Sequence, residues 1–176
     1  LVYLCRHFNL PEAAEYWEWV VRMNEWQKHR FTKRILTTMF NSIAGKRIAV
    51  FGFAFKADTG DTRETPALTV VRDLLDEHAL PVITDPQAIP EAKNDLADVL
   101  DLVEFTEDPY ESVKGAHAIV ICTEWQHFKE LDYQKIYDSM EKPAFIFDGR
   151  NILDHQKLYE IGFEVTPVGK AGYSRL

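Results

Sequence analysis

From Gly45 onward, short apolar runs alternate with stretches of helical pattern, and this alternation restricts the fold more than any other feature of the chain. It predicts an α/β domain with a mostly parallel sheet, right-handed crossovers and helices on both faces. The runs Ile48–Phe51 and Ala118–Ile121 are apolar at every position, as inner parallel strands are. Six strands are expected, at residues 47–53, 80–84, 102–105, 116–122, 144–147 and 163–166. Five helices are expected between and after them, at residues 66–78, 90–100, 109–114, 133–141 and 155–161.

A long stretch before this alternation, from Pro11 to Phe40, contains no glycine and no further proline. Because proline suits the first turn of a helix, the stretch predicts one helix of about 43 Å. Its apolar residues occupy more than one face and include Trp17, Trp19 and Trp26. Two interpretations are open, a core helix or a helix shared with a second subunit or a further domain. The wide apolar surface favours the second.

The chain is long enough, at 176 residues with 46% hydrophobic residues, for one full core and a small appendage. We expect a helical segment at residues 1–44 and an α/β domain at residues 45–176. A net charge of -8 argues against nucleic acid as a partner. No run reaches the roughly 18 to 20 apolar residues of a membrane span. The two cysteines have no metal-ligand or disulfide spacing, so a cytoplasmic location without a metal is expected.

The loop after the first strand, residues 52–65, is where a ligand is expected, because doubly wound sheets bind ligands beyond the carboxyl ends of their strands. The loop lacks the G-x-G-x-x-G pattern, so the sheet is not expected to bind a dinucleotide in the usual manner. It carries Lys56 and Arg63 instead, and both cations suit phosphate groups. Phe55 offers an apolar wall.

A plainer interpretation of the same loop is that Lys56 and Arg63 pair with nearby acids. The local charge pattern does not decide between the two interpretations. The acids concerned are Asp58, Asp61 and Glu64.

Two other strand ends reach the same edge of the predicted sheet. Arg150 follows a turn at Gly149 after the fifth strand, where it would converge with the cations of the loop. Cys122 closes the fourth strand with no histidine or lysine beside it to lower its pKa, so a buried structural cysteine is expected there. No role is assigned to any of the six histidines.

The sequence GFAFKADTGDTRE at residues 52–64 closely resembles a signature of the UDP-glucose/GDP-mannose dehydrogenase family. The segments AHAIVICTEW at 116–125 and KPAFIFDGR at 142–150 carry the same resemblance, which extends over nearly the whole chain. TGDTRE and FDGR favour the members of the family that oxidise UDP-glucose. GDP-mannose or UDP-N-acetylmannosamine as the substrate, and a non-catalytic nucleotide-binding regulatory module, are the alternatives.

The resemblance implies a long central helix that carries dimerisation, followed by a Rossmann-like domain that binds the UDP moiety. It implies that Phe55, Lys56 and Arg150 contact the UDP-sugar and that Arg63 reaches the pyrophosphate of NAD. The reaction implied is oxidation of the C6 alcohol of the sugar to a carboxylate by two hydride transfers to NAD, through intermediates bound to a cysteine.

The cysteine motif and the G-x-G-x-x-G motif of the family are absent from these 176 residues. The surroundings of Cys5 match the helix that follows the cysteine motif in the family, so Cys5 is not expected to replace the nucleophile. We therefore expect a fragment that holds the substrate and dimerises but does not catalyse by itself. No catalytic residue is assigned, and NAD is expected to bind mainly outside the chain.

Overall fold

The computed structural model describes residues 1–175, so Leu176, the last residue of the predicted second domain, lies outside the described residues. The strands are β1 (Arg47–Phe51), β2 (Leu80–Thr84), β3 (Glu104–Phe105), β4 (Ala118–Ile121), β5 (Phe145–Asp148) and β6 (Glu164–Pro167). The helices are α1 (Val2–His7), α2 (Pro11–Thr38), α3 (Pro66–Asp76), α4 (Ile89–Asp95), α5 (Pro109–Ser112), α6 (Gln126–Lys129), α7 (Tyr133–Ser139) and α8 (His155–Ile161), with a 3₁₀ helix at Ala97–Leu102.

The strands form one parallel six-stranded sheet in the order β3-β2-β1-β4-β5-β6, which confirms the predicted fold class. In its centre, Ala49 of β1 lies between Val82 of β2 and Ile119 of β4. Since the strand order reverses between β1 and β4, a crevice opens at their carboxyl ends. The loops that carry the predicted site residues therefore meet at one edge of the sheet.

Three predicted strands are shorter than expected, and the fourth of the chain spans only Ala118–Ile121. The first ends at Phe51, two residues early, because Gly52 has a φ of 90° and turns the chain out of the extended conformation. The third keeps only Glu104–Phe105. The preceding helix ends at Asp95, and the chain continues as a 3₁₀ helix through Leu102, so one predicted helix becomes two.

Helix α2 is the long helix that the sequence predicts, but it ends at Thr38 because Phe40 and Asn41 adopt positive φ angles of 63° and 58°. Its carboxyl-terminal part packs against the domain, where Ile35 is fully buried. Its amino-terminal part contacts α1 and leaves large apolar side chains exposed, among them Trp19 at 57%. Within residues 1–175, none of the helices combines the length and the apolar character needed to cross a membrane.

Candidate functional site

A cavity of about 350 Å³ lies at the carboxyl edge of the sheet, and we call it the carboxyl-edge cavity. Its walls include Asn24 and Lys28 of α2, Phe55 of the loop after β1, and Arg150 of the loop after β5. A larger cavity of about 560 Å³ lies between α7 and α8, and none of the predicted site residues lines it. The carboxyl-edge cavity is therefore the candidate site, because it has both the expected position and two of the expected residues.

Arg150 links the three strand ends that meet at this cavity. Its Nε donates to the carbonyl of Cys122 at 2.7 Å, and its Nη2 donates to the carbonyl of Phe55 at 2.9 Å. A carboxylate oxygen of Glu124 lies 3.1 Å from Nε. Within residues 1–175, Nη1 makes no hydrogen bond, so this nitrogen is available to an anionic ligand.

The turn that carries Arg150 is fixed by Asp148, which is fully buried at the end of β5. Its carboxylate accepts hydrogen bonds from the backbone N–H groups of Arg150 and Leu153, both at 3.0 Å, and lies 2.9 Å from Nε2 of His155. A Cβ atom at Gly149 would lie 2.6 Å from the carbonyl oxygen of Ile121. The close approach of β4 to this turn therefore requires a glycine, and this places the arginine at the cavity.

Phe55 and Lys56 lie at the start of the loop after β1, and both side chains are exposed. The backbone N–H of Phe55 donates to the carbonyl of Asp61 at 2.8 Å, which closes the loop on itself. Lys56 forms no hydrogen bond or ion pair with the described part of the chain. The positive charge of Lys56 helps to lower the pKa of Asp61, but the ammonium is not held by any of the described acids.

Arg63 lies at the other end of the loop, outside the walls of the carboxyl-edge cavity. Its guanidinium forms a fork with Asp61, with Nε 2.9 Å from one carboxylate oxygen and Nη2 2.6 Å from the other. The hydrogen bonds from Arg63 lower the pKa of Asp61 to about 2. The plainer interpretation is therefore right about the Arg63–Asp61 pair, although the arginine side chain is still 88% exposed. The structure brings Phe55 and Arg150 together at the carboxyl-edge cavity, whereas Lys56 and Arg63 belong to the same loop but do not line it.

Lys28 of α2 lines the cavity and was not among the residues predicted from sequence. Its side chain is only 9% exposed, and its ammonium lies 2.7 Å from a carboxylate oxygen of Glu25 and 3.6 Å from one of Glu64. Burial of this lysine depends on how α2 docks on the loop, and no local sequence pattern reports that docking. Asp85, at the end of β2, was also missed, although its position at the ligand-binding edge was a usable signal.

Cys122 is buried at the end of β4, as expected for a structural cysteine. Burial raises the pKa of its thiol to about 12, and the nearby charge of Arg150 opposes this only in part. A neutral thiol is a poor nucleophile and a poor metal ligand. Among residues 1–175, no cluster of three or more histidine, cysteine or acidic side chains could hold a metal ion.

Comparison with known proteins gives consistent results. Residues 49–155 match the model of the UDP-glucose/GDP-mannose dehydrogenase family, UDP binding domain. The chain is 51% identical to UDP-glucose 6-dehydrogenase of Drosophila melanogaster and 49% identical to UDP-glucose 6-dehydrogenase 4 of Arabidopsis thaliana, over 97% of its length in both cases. It spans only 38% and 39% of those two relatives. The structure of a UDP-glucose dehydrogenase from Pyrobaculum islandicum superposes with a TM-score of 0.71 at 26% identity, covering 92% of this chain and 35% of that one.

Proposed function

Because the chain belongs to the UDP-glucose/GDP-mannose dehydrogenase family, we propose that it is the part of a UDP-glucose 6-dehydrogenase that holds the UDP moiety of the substrate. The whole enzyme would oxidise UDP-glucose to UDP-glucuronate with two NAD. The relatives at about half identity are named UDP-glucose 6-dehydrogenases, which favours UDP-glucose over GDP-mannose or UDP-N-acetylmannosamine. A non-catalytic regulatory module stays the alternative of a different class.

The observation that carries this proposal is that Phe55 and Arg150 both line the carboxyl-edge cavity, with Lys56 next to Phe55 in the chain. Arg150 is preorganised by its bonds to two carbonyl oxygens and keeps one guanidinium nitrogen for a ligand. Lys56 adds a mobile positive charge, and Phe55 adds an exposed apolar ring. A fixed cation, a mobile cation and an aromatic face together suit a nucleoside diphosphate linked to a sugar.

The same proposal includes one contact with the cofactor, in which Arg63 reaches the pyrophosphate of NAD. The exposed guanidinium fits this role, since its ion pair with Asp61 leaves most of it open to solvent. The sheet itself does not fit a dinucleotide, because the loop after β1 has no G-x-G-x-x-G pattern and Asp85 is occupied by backbone N–H groups. NAD would supply the hydride acceptor and would bind mainly to residues outside this chain.

The partner expected of this chain is a second copy of itself, bound through α2. The exposed apolar side chains of that helix support this proposal, with Trp19 and Trp26 both more than half exposed. The proposal includes the division into a helical segment at residues 1–44 and a UDP-binding domain at residues 45–176. It also includes a cytoplasmic location, for which the two free cysteines are the support.

Titration calorimetry of the purified chain with UDP and with GDP tests the proposal. UDP is expected to bind more tightly than GDP, and glucose alone is expected to give no signal. Tighter binding of GDP would favour the GDP-mannose alternative, and binding of neither nucleotide would contradict the proposed role of this chain. The chain by itself is also expected to form no NADH from UDP-glucose and NAD, because Cys122, the cysteine nearest the site, is buried and neutral.

A further inference from the structure

Asp85 is a buried carboxylate at the carboxyl end of β2, only 2% exposed. One oxygen accepts hydrogen bonds from the backbone N–H groups of Phe53 and Ala54, at 2.7 and 3.0 Å, and from the indole of Trp125 at 3.0 Å. The other accepts from the N–H groups of Gln87 and Ala88, both at 2.8 Å. Five donors therefore converge on one buried charge, and within residues 1–175 it forms no ion pair.

These bonds act directly on the loop that carries Phe55. Asp85 holds the N–H groups of the two preceding residues, while Thr123 donates from Oγ1 to the carbonyl of Ala54 at 2.6 Å. Arg150 then binds the carbonyl of Phe55 at 2.9 Å. The backbone is thus held on its N–H side by Asp85 and on its carbonyl side by two residues from other strand ends. A shift of Phe53 and Ala54 would move the acceptor that orients Arg150.

In a dinucleotide-binding domain, an acidic residue at the corresponding strand end binds the ribose of the cofactor. Here Asp85 occupies that place and binds the protein's own backbone instead. A carboxylate suits the task because both oxygens accept hydrogen bonds, whereas an asparagine would turn an NH₂ group toward some of the five donors. Burial of an ionised group without a cation is tolerated when several such donors surround it.

We propose that Asp85 is a positioning residue for the nucleotide-sugar site, acting on Arg150 through the backbone at Phe53–Phe55, whose last carbonyl Arg150 binds. The proposal rests on the proposed function, since it names what that site needs in order to bind UDP. Asp85 itself touches no ligand in this account. Its effect on affinity should therefore disappear when the residue through which it acts, Arg150, has already been removed.

The test measures UDP affinity of Asp85→Asn, Arg150→Ala and the double variant by calorimetry, together with amide hydrogen exchange by NMR. Asp85→Asn is expected to weaken UDP binding about tenfold to a hundredfold, to accelerate exchange at Phe53 and Ala54, and to add nothing in the Arg150→Ala background. Ser112→Ala is the control, because it removes a buried hydrogen bond to the carbonyl of Pro109. It should leave UDP affinity unchanged.

Wild-type affinity in Asp85→Asn, or additive effects in the double variant, would overturn the proposal. If Asp85→Asn does not fold, the UDP affinity of Trp125→Phe tests the proposal instead. This variant removes one of the five hydrogen-bond donors to Asp85 and keeps an aromatic ring. That variant is expected to bind UDP about threefold more weakly, and unchanged affinity would contradict the proposal. Absence of UDP binding by the unsubstituted chain would instead contradict the proposed function. The exchange rates of Phe53 and Ala54 would then decide whether Asp85 holds the loop.

Discussion

Arg150 donates a hydrogen bond from Nη2 to the carbonyl oxygen of Phe55 at 2.9 Å, and this bond joins two expected substrate contacts that lie 95 residues apart in the chain. The same guanidinium binds the carbonyl of Cys122 through Nε at 2.7 Å. Three strand ends of a parallel sheet are thereby held in one arrangement before any ligand arrives. Preorganisation of this kind reduces the entropy that a ligand must offset on binding.

The first prediction concerns the shape of this cation. Arg150→Lys keeps the charge, but a single ammonium group cannot hold both carbonyl oxygens and also meet a phosphate. UDP affinity measured by calorimetry should fall about tenfold. Arg72→Lys is the matched control, since Arg72 forms a similar fork with Asp98 away from the cavity. Equal affinities of the two lysine variants would show that the fork of Arg150 has no role in binding.

The second prediction concerns Gly52, where β1 ends. Its φ is 90°, and a Cβ atom there would lie 2.3 Å from Cβ of Thr123. Gly52→Ala should lower the free energy of unfolding by about 3 kcal/mol, because it adds a clash to a strained backbone. Gly45→Ala is the control, since Gly45 also has a positive φ but has no atom within 4 Å of the new Cβ. Its cost should be about 1 kcal/mol in urea unfolding. A similar loss in both variants would mean that the contact with Thr123 is unimportant.

Much of this fold could be predicted because its signals are local. The apolar runs around Ile48–Phe51 and Ala118–Ile121 identify the central strands without tertiary information, and Pro11 marks the start of the long helix. The order of the strands was not predicted, because the handedness of parallel crossovers does not fix where that order reverses. The early end of β1 was missed, because Phe53 continues the apolar pattern although Gly52 has already turned the chain.

The site could be predicted only in part, because some of its residues depend on contacts between distant segments. Phe55, Lys56 and Arg150 were chosen because they lie within a few residues of strand ends, and their role as substrate contacts stays a prediction. Lys28 was missed because only the docking of α2 buries it beside the loop. Asp85 was missed although it follows β2 at the ligand-binding edge, because its five partners are N–H groups and an indole, which leave no charge pattern in the sequence.

The third prediction concerns stability at alkaline pH. The pKa of Cys122 is raised by burial to about 12, so between about pH 9 and pH 12 the unfolded chain releases a proton that the folded chain keeps. Stability should therefore fall as pH rises through this window, with a contribution from this thiol of up to about 1.4 kcal/mol per pH unit. Burial also raises the pKa of Tyr133, which acts in the same direction.

The measurement for this third prediction is urea unfolding at pH 8, 9 and 10. Cys122→Ala should decline less steeply with pH than the parent chain, because it lacks the buried thiol. Cys5→Ala, which changes the other free cysteine on α1, should follow the parent chain. Equal slopes for the parent chain and Cys122→Ala would contradict the assigned burial of this thiol.

The fourth prediction concerns α2 as an interface. Trp19 and Trp26 expose 57% and 55% of their surfaces, and Val21 between them exposes 56%. A large apolar surface of this kind favours association, so the chain should sediment as a dimer at micromolar concentration. Val21→Glu should shift it to the monomer, whereas Lys33→Glu, also exposed on α2, should not. A parent chain that sediments as a monomer at high concentration would refute the role given to this helix.

The most direct test of the central claim is the UDP affinity of the double variant Lys56→Ala, Arg150→Ala, measured by calorimetry beside the parent chain. The double substitution removes one mobile and one fixed cation together. It leaves in place the hydrogen bonds that Asp85 accepts from the backbone of Phe53 and Ala54, because neither changed side chain takes part in them. The account predicts that the parent chain binds UDP and that the double variant binds it at least about a hundredfold more weakly. Binding of UDP by the double variant with the affinity of the parent chain would contradict the assignment of this site.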